Sequence, residues 1–286
     1  MSAYVIRPLT AEELQEAVDW AGHEGWNPGH HDAACFHGAD TDGFLGGFLN
    51  GEMIASISVV QYDDAFAFLG FYIVRPEHRG SGHGLAIWQH ALENCAEHNI
   101  GLDGVVDQQH NYRKSGFTFA YNNHRFSETV TGIRRALAPS TGVEPLTTAS
   151  DALIAYDRQL FPAPRDAFLQ RWISAPTHIS RVYSEDGQIK GYATMRPCKN
   201  GYKVGPLFAD RADIAESLLA SLLETLPTKH SGHEVFIDIP QPNEAAFALA
   251  TKLGLEKVFE TARMYSNYKP DIDLSRIFGV TTFELG

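Results

Sequence analysis

The stretch Tyr72-Ile73-Val74-Arg75-Pro76-Glu77-His78-Arg79-Gly80-Ser81-Gly82-His83-Gly84-Leu85 concentrates residue types that can hold a phosphate. An apolar run over residues 66–74 leads into a glycine-dense turn, and the helical spacing of Leu85, Trp88, Leu92 and Cys95 begins directly behind it. A helix start leaves backbone N–H groups without partners and carries partial positive charge. Glycines let an anion approach those groups closely. Arg79 adds charge-assisted hydrogen bonds to phosphate oxygens. The chemistry on offer is a phosphate or pyrophosphate cradle; a glycine-rich turn without a ligand is the plain alternative. The spacing Gly80-x-Gly82-x-Gly84 is not the dinucleotide pattern GxGxxG, and it lies far from any N-terminal βαβ unit. There is no GK[ST], which excludes a P-loop.

The elements that must position this turn follow from hydrophobic period and turn chemistry. Residues 4–8 read as a strand and 11–23 as a helix, with Thr10 as N-cap and Glu13 three residues on. The region from Gly25 to Asp42 holds one short helix at best. Residues 44–49 and 53–62 are strands joined by the hairpin signal Asn50-Gly51. A strand at 66–74, a helix at 84–98, a strand at 102–106, a short helix through Tyr112 and a strand from Phe117 complete this part. Residues 136–145 contain two prolines with Gly, Ser and Thr, and are the linker candidate. The same order of elements then recurs: helices at 153–161 and 167–173, strands at 179–183, 189–195 and 203–208, a helix at 213–226, a strand at 235–239 and a helix at 243–253 closed by Gly254. The recurrence implies an internal duplication, with domains at 1–138 and 139–286.

Val74-x-Pro76-x-x-Arg79-Gly80-x-Gly82-x-Gly84 resembles the acyl-CoA-binding motif of the GNAT acyltransferase superfamily, and the element order carries the likeness across residues 1–136. The resemblance implies an α/β fold of two tandem GNAT-like domains, each a mixed, mostly antiparallel sheet flanked by helices. It implies that Ile73 and Val74 meet the pantetheine arm of acetyl-CoA, while Arg79, Gly80, Ser81, Gly82, His83 and Gly84 cradle its pyrophosphate. Tyr112-Arg113-Lys114-Ser115-Gly116-Phe117 resembles the family's Tyr-x-x-x-Gly-Phe, which implies that Tyr112 protonates the leaving thiolate. A packing tyrosine with a satisfied hydroxyl is the plainer reading. The implied reaction is direct transfer of an acetyl group to a primary amine, with the backbone N–H of Val74 as oxyanion donor. A catalytically silent module that binds or senses acyl-CoA, and a scaffold that binds none, are the alternatives.

The base and the acceptor site are less sharply marked. Some family members place a carboxylate on the central strand, but residues 66–74 offer none. Asp103, Asp107 and His110 lie near the end of the next strand. Asp107 is the candidate base; a helix N-cap is its bland role, and a water could take the proton instead. By resemblance, residues 24–32 cover the acceptor, with Trp26 walling a pocket and Asp32 meeting an amine. A surface loop anchored by one tryptophan is the other reading. His30, His31, Cys35 and His37 lack the paired spacing of structural zinc sites, so no metal is expected.

In the second half, Asn243-Glu244-Ala245-Ala246 through Leu253-Gly254-Leu255 resembles a family helix, but Ala250 stands where Tyr112 stands in the first half. Asp210-Arg211-Ala212-Asp213 enters the other helix in place of arginine and glycines. Two carboxylates there would repel pyrophosphate, so this half is expected to be a degenerate copy. The tandem arrangement and the ending Thr282-Phe283-Glu284-Leu285-Gly286 resemble bacterial-type GNAT proteins with an appended acetyltransferase-like domain.

Bulk properties narrow the partners. A chain with 44% hydrophobic and 20% charged residues can bury an ordinary globular core. A net charge of -12, with no basic run longer than Arg134-Arg135, argues against nucleic acid. No apolar run is long enough to span a bilayer, and the N-terminus lacks a secretory pattern. Cys35, Cys95 and Cys198 are widely separated, which suits a reducing compartment. The expectation is a cytoplasmic enzyme acting on a small-molecule or peptide amine, with no membrane partner and its oligomeric state left open.

Overall fold

The computed structural model describes residues 4–286. The first half contains strands β1 (Tyr4–Pro8), β2 (Phe44–Leu49), β3 (Glu52–Gln61), β4 (Phe66–Val74), β5 (Asn99–Val105) and β6 (Thr118–Thr129). Its helices are α1 (Ala11–His23), α2 (Asp32–His37), α3 (His83–Glu93), α4 (Gln109–Lys114) and α5 (Val130–Ala136). The second half adds β7 (Val143–Leu146), β8 (Ile179–Glu185), β9 (Gln188–Pro197), β10 (Tyr202–Ala209), β11 (Glu234–Pro240), β12 (Glu256–Tyr265) and β13 (Ile277–Gly279). Its helices are α6 (Asp151–Asp157), α7 (Asp166–Ser174), α8 (Ala212–Glu224) and α9 (Glu244–Lys252).

Local signals account for most boundaries. Thr10 and Glu13 form the expected reciprocal capping box at the start of α1. Helix α3 is shorter than its pattern suggested and β5 starts earlier. The side chain of Asn99 donates to the carbonyl of Tyr268 and accepts from the Asn267 and Tyr268 N–H groups, which fixes the start of the strand. The proposed linker at 136–145 also needs correcting. Its last residues join β7, an edge strand antiparallel to β8, where Pro145 is tolerated.

The α/β class and the mostly antiparallel pairing hold in both halves, with parallel pairs, among the described residues, only at β4–β5 and β10–β11. The two sheets are nevertheless one. Thirteen strands run in the order β1-β2-β3-β4-β5-β12-β6-β11-β10-β9-β8-β7, with β13 paired to β10. The last long strand of each half has crossed over: β12 pairs with β5, β6 pairs with β11, and the two crossed strands pair with each other. Each carries an arginine that meets a carboxylate on its host strand. Arg263 on β12 grips Asp103 on β5 at 2.8 and 2.6 Å. Arg125 on β6 grips Asp238 on β11 at 2.7 and 2.8 Å.

Helices cover both faces. Ile87, Trp88 and Ala91 of α3 pack over the first half's sheet, and Leu218 and Leu222 of α8 over the second's. On the other side one core is shared: Leu14 and Val18 of α1 and Phe36 of α2 meet Phe168 and Trp172 of α7. Burying each such side chain contributes about 1.5–3 kcal/mol, so the shared core and the crossed strands together resist separation of the halves.

His178 lies against Trp172 in this core, with ring centroids 4.8 Å apart and its Nδ1 donating to the Trp172 carbonyl at 2.8 Å. Burial first, then Arg196, pushes its pKa down to about 4. The native state therefore holds the ring neutral while the unfolded chain binds a proton below pH ~6.5. Stability should fall as the pH drops from ~6.5 through ~4, by at most about 3 kcal/mol from this group. Urea unfolding at several pH values, compared with His178→Phe, should show a shallower acid slope in the variant.

Candidate active site

The site begins where β4 leaves β5. Their parallel pairing runs from Phe66 and Asn99 to Leu69 and Leu102, then stops. Against β3, Ser58 faces Gly70 while Ser56 faces Ile73, so β4 carries one extra residue. Phe71 takes a left-handed backbone with φ +48°. This is a β-bulge, which bends its strand and breaks the ladder. Ser56 Oγ donates to the Phe71 carbonyl at 2.9 Å, satisfying a group that the bulge displaces. Beyond it the two strands diverge around a cavity of about 760 Å³. The N–H of Arg75 donates to Ile54 of β3, so alternation along the strand turns the Val74 N–H and carbonyl toward the gap. Arg79 Nε, which donates to the Val74 carbonyl at 2.8 Å, reaches it from that side.

The glycine turn closes one end of the cavity. Gly80 and Gly82 have φ values of +76° and +88°, which side chains rarely adopt, and open space lies where their Cβ atoms would be. Gly82 is the N-cap of α3 and offers no side chain, and the first turn carries no acidic residue. The first N–H groups of α3 are thus left for an anion. Gly84 lets α3 sit tightly on β4: a methyl there would lie 2.8 Å from Tyr72 Oη and Val74 Cγ2. Arg79 is tethered to Glu24 at 2.6 Å. Of the residues singled out for the cofactor, Ile73, Val74, Arg79, Gly80, Gly82 and Gly84 line the cavity. Ser81 and His83 do not line it: the Ser81 hydroxyl donates to the His78 carbonyl, and the His83 ring packs on Tyr4 with centroids 4.5 Å apart. The uncapped helix start, the bare glycines, the arginine and the free β4 edge fit a pantetheine–pyrophosphate ligand.

Tyr112 projects from α4 into the same cavity. Its ring takes the place a side chain at Gly104 would need and packs on Trp88 at 5.6 Å. Trp88 is itself held by Nε1 donating to Ser115 Oγ at 3.0 Å. Burial, with Tyr72 nearby, pushes the Tyr112 phenol up to about 12. The hydroxyl therefore stays protonated across the neutral range and can donate.

The acceptor end differs from expectation. Trp26 does line the cavity, and its carbonyl accepts from Arg125 Nη1 and Lys203 Nζ, both at 2.9 Å. Asp32 does not: it is 1% exposed, takes the Gly29 N–H at 2.7 Å and pairs with Arg196 Nε at 2.9 Å. Burial alone would raise its pKa, but Arg196 and the Gly29 N–H outweigh that and hold it below the ordinary range. Asp32 ties the first half to β9 instead of meeting an amine. Asp107 sits exposed on a 3-10 turn and does not line the cavity, although Val105 and Gln108 on either side do. Asp103 lines the cavity but is bound to Arg263 and Asn123. Two groups that sequence reasoning did not assign also line it, Thr261 of β12 and Glu284 near the chain's end. Only the ending's resemblance pointed there, since more than 150 residues of chain separate both from the glycine turn.

The second half contains the matching gap, between β10 and β11, and fills it with its own chain. Pairing of β10 with β11 ends at Val204 and Ile237. Strand β13 then runs along β10, and the Val280 N–H donates to the Asp238 carbonyl at 2.9 Å. Helix α8 starts at an arginine N-cap with Asp213 in its first turn, and Arg211 is committed to Glu185 and Asp213.

A bulged, splayed strand running into an uncapped glycine-rich helix start is the architecture of an acyl-CoA-dependent transferase of the GNAT type. Residues 11–117 match the acetyltransferase (GNAT) family and residues 153–279 match a second acetyltransferase (GNAT) domain. The chain is 34% identical to a holothin acyltransferase of a Pseudoalteromonas species, over 99% of this chain and 95% of that one. It is 23% identical to the uncharacterized N-acetyltransferase YitH of Bacillus subtilis, over 83% of each. A crystal structure of a Pyrococcus horikoshii protein superposes with a TM-score of 0.83 at 20% identity, covering 99% of this chain and 96% of that one. A tandem GNAT protein from the clavulanic acid biosynthesis pathway gives 0.65 at 15% identity, covering 92% and 98%. The chain belongs to the GNAT acetyltransferase family, with two such domains in tandem, and is an acyltransferase. No helix among the described residues is long and apolar enough to cross a membrane.

The reassignment of Asp32 is testable. Removing one partner of a buried ion pair costs about 3–5 kcal/mol. Asp32→Ala should lose roughly that much in urea unfolding, and Asp32→Ala/Arg196→Met should recover most of it. A well-folded Asp32→Ala protein defective only in KM for an acceptor would restore the substrate role.

Proposed function

We propose that the protein moves an acetyl group from acetyl-CoA to a primary amine, with residues 1–138 carrying the acyl-CoA site and residues 139–286 supporting it. The observation that carries this reading is the convergence of three features on one cavity: the free β4 edge, the uncapped start of α3 and the buried phenol of Tyr112. Ile73 and Val74 would run beside pantetheine. Arg79 and the amides from Gly80 through Gly84 would hold pyrophosphate, with Ser81 and His83 contributing backbone. The Arg79–Glu24 tether holds the guanidinium at the cavity mouth before the ligand arrives.

In the reaction, the amine nitrogen attacks the thioester carbonyl and forms the new C–N bond. The Val74 N–H, turned toward the gap, stabilises the oxyanion. As the C–S bond breaks, Tyr112 gives its proton to the thiolate. Holothin, named by the 34% identical relative, belongs in the panel of acceptors to be screened. The three cysteines are free and buried, which fits the cytoplasm as the place of action.

Calorimetric titration with acetyl-CoA tests the cofactor site. Wild type should bind one equivalent per chain, and Gly82→Asp, which puts a carboxylate at the cradle, should bind none. Two equivalents would contradict the filled second gap, and no binding by folded wild type would sink the reading. Tyr112→Phe should bind acetyl-CoA normally yet lose about 10²-fold or more in kcat. Unchanged turnover would place the proton donor elsewhere.

A further inference from the structure

Thr261 and Glu284 are 3% and 4% exposed, and both line the cavity of the first half. Thr261 Oγ1 and Glu284 Oε2 are buried without a hydrogen-bond partner among the described residues. Leaving a buried hydroxyl or carboxylate oxygen unpaired is costly unless a ligand completes it. Both come from the second half, by different routes. Thr261 arrives on the crossed strand β12, opposite Val105 of β5. Glu284 arrives on the segment that first fills the second half's gap as β13 and then passes Gly70 at the bulge of β4. A methyl at Gly70 would collide with the Glu284 carbonyl, so glycine is what lets this segment cross.

Glu284 lies among other buried charges. Arg125 and Lys203 face it, and Arg125 already serves Asp238 through two hydrogen bonds. Lys203 is buried, and burial with Arg125 nearby pushes its pKa down to about 8. Arg125 is thus committed to Asp238, and Glu284 Oε2 makes no hydrogen bond of its own among the described residues. An ammonium entering the cavity would give it a partner. Trp26, Phe259 and Phe283 give that end of the cavity apolar walls. The Phe283 ring is held in place by the Arg125 guanidinium stacked 4.7 Å from its centroid.

We propose that the second half builds the acceptor site of the first: Glu284 receives the amino group of a primary amine on a compact apolar or aromatic body, and Thr261 hydrogen-bonds the same acceptor. This rests on the acetyl-CoA reading above. In the reaction, the Glu284 carboxylate takes one proton from the bound ammonium, which frees the nitrogen lone pair to attack the thioester carbonyl. As the C–N bond forms and the C–S bond breaks, the nitrogen's second proton passes to solvent water and Tyr112 gives its proton to sulfur. Glu284 then releases its proton to solvent and Tyr112 regains one, so the net reaction releases one proton.

The probe is benzylamine, titrated by calorimetry into the CoA-saturated protein and then tested as acceptor at saturating acetyl-CoA. CoA binding is measured first in every variant, with thermal unfolding as the control for folding. Wild type should bind benzylamine. Glu284→Gln and Thr261→Val should bind CoA within about two-fold of wild type, and Glu284→Gln should lose at least about ten-fold in benzylamine affinity and about 10²-fold in transfer rate. Thr261→Val should weaken benzylamine binding several-fold, which keeps the test available if Glu284→Gln does not fold. Glu284→Asp should recover part of the binding. Failure of wild type to bind CoA would refute the cofactor reading. Normal CoA binding with no benzylamine binding, or with benzylamine bound equally by wild type and both variants, would overturn the acceptor assignment alone.

Discussion

A β-strand with an unpaired edge cannot end inside a protein core, and that constraint organises this molecule. Strand β5 of the first half and β11 of the second each need a partner on the side away from their parallel neighbour. Each finds it in the other half, because β12 and β6 have crossed over. Two arginines fix the register. Arg263 stands directly opposite Asp103, and Arg125 directly opposite Asp238, each in a bidentate buried pair. A slip of one residue would turn the arginine to the other face of the sheet and leave both charges unpaired, at a cost of several kcal/mol. Such pairs add little net stability over a well-packed apolar pair, but they exclude wrong registers. The thirteen-stranded sheet is therefore one structure built from two copies.

The two copies make the same gap and use it differently. Both central strands shift register at a glycine-containing bulge, near Gly70 in β4 and near Gly205 in β10. In both, the C-terminal segment of the chain passes so close that a methyl on the glycine would strike its backbone. In the second half that segment enters the gap and pairs there as β13, so the polypeptide itself occupies the gap. In the first half it only borders the gap, and the free edge of β4 remains. The helix starts follow suit: glycines and no acid at α3, Arg211 and Asp213 at α8. Filling a gap with the chain's own strand removes the need for an anion-binding turn, and side chains are then free to occupy it.

Much of the first half was legible because its signals are local. The capping box at Thr10, the Asn50-Gly51 hairpin and the strand-turn-helix at 66–93 each rest on residues a few positions apart. Tyr112 lines the cavity through equally local contacts, since its motif packs onto α3 through Trp88 and Ser115. What failed was long-range. Asp32 sits in a segment that borders the cavity, and nothing nearby in sequence reveals Arg196, which lies on β9 and takes its charge. Asp107 follows β5 closely enough to suggest the site, but the 3-10 turn carries it outward. Residues 255–286 gave no period beyond Gly254, because β12 is buried between two neighbours and the segment after it is irregular. Strand crossing leaves no trace in hydrophobic pattern: a strand reads alike whichever sheet receives it.

The crossing also bears on what the second half can be. If the halves were independent domains, a copy whose gap is closed could be removed without touching the open one. Here removal would strip β12 from β5, expose the Asp103 carboxylate without Arg263, and take Thr261 and Glu284 from the wall of the cavity. It would also divide the core in which Phe168 and Trp172 meet Phe36. The first half is thus incomplete as a fold and as a site. The free β4 edge is its own, but the Thr261 and Glu284 side chains in the cavity wall are lent by the second half. Residues in that copy answer to strand pairing, to the shared core and to the first half's cavity, and the start of α8, where Arg211 and Asp213 stand in place of the first half's glycines, faces a gap that β13 already fills.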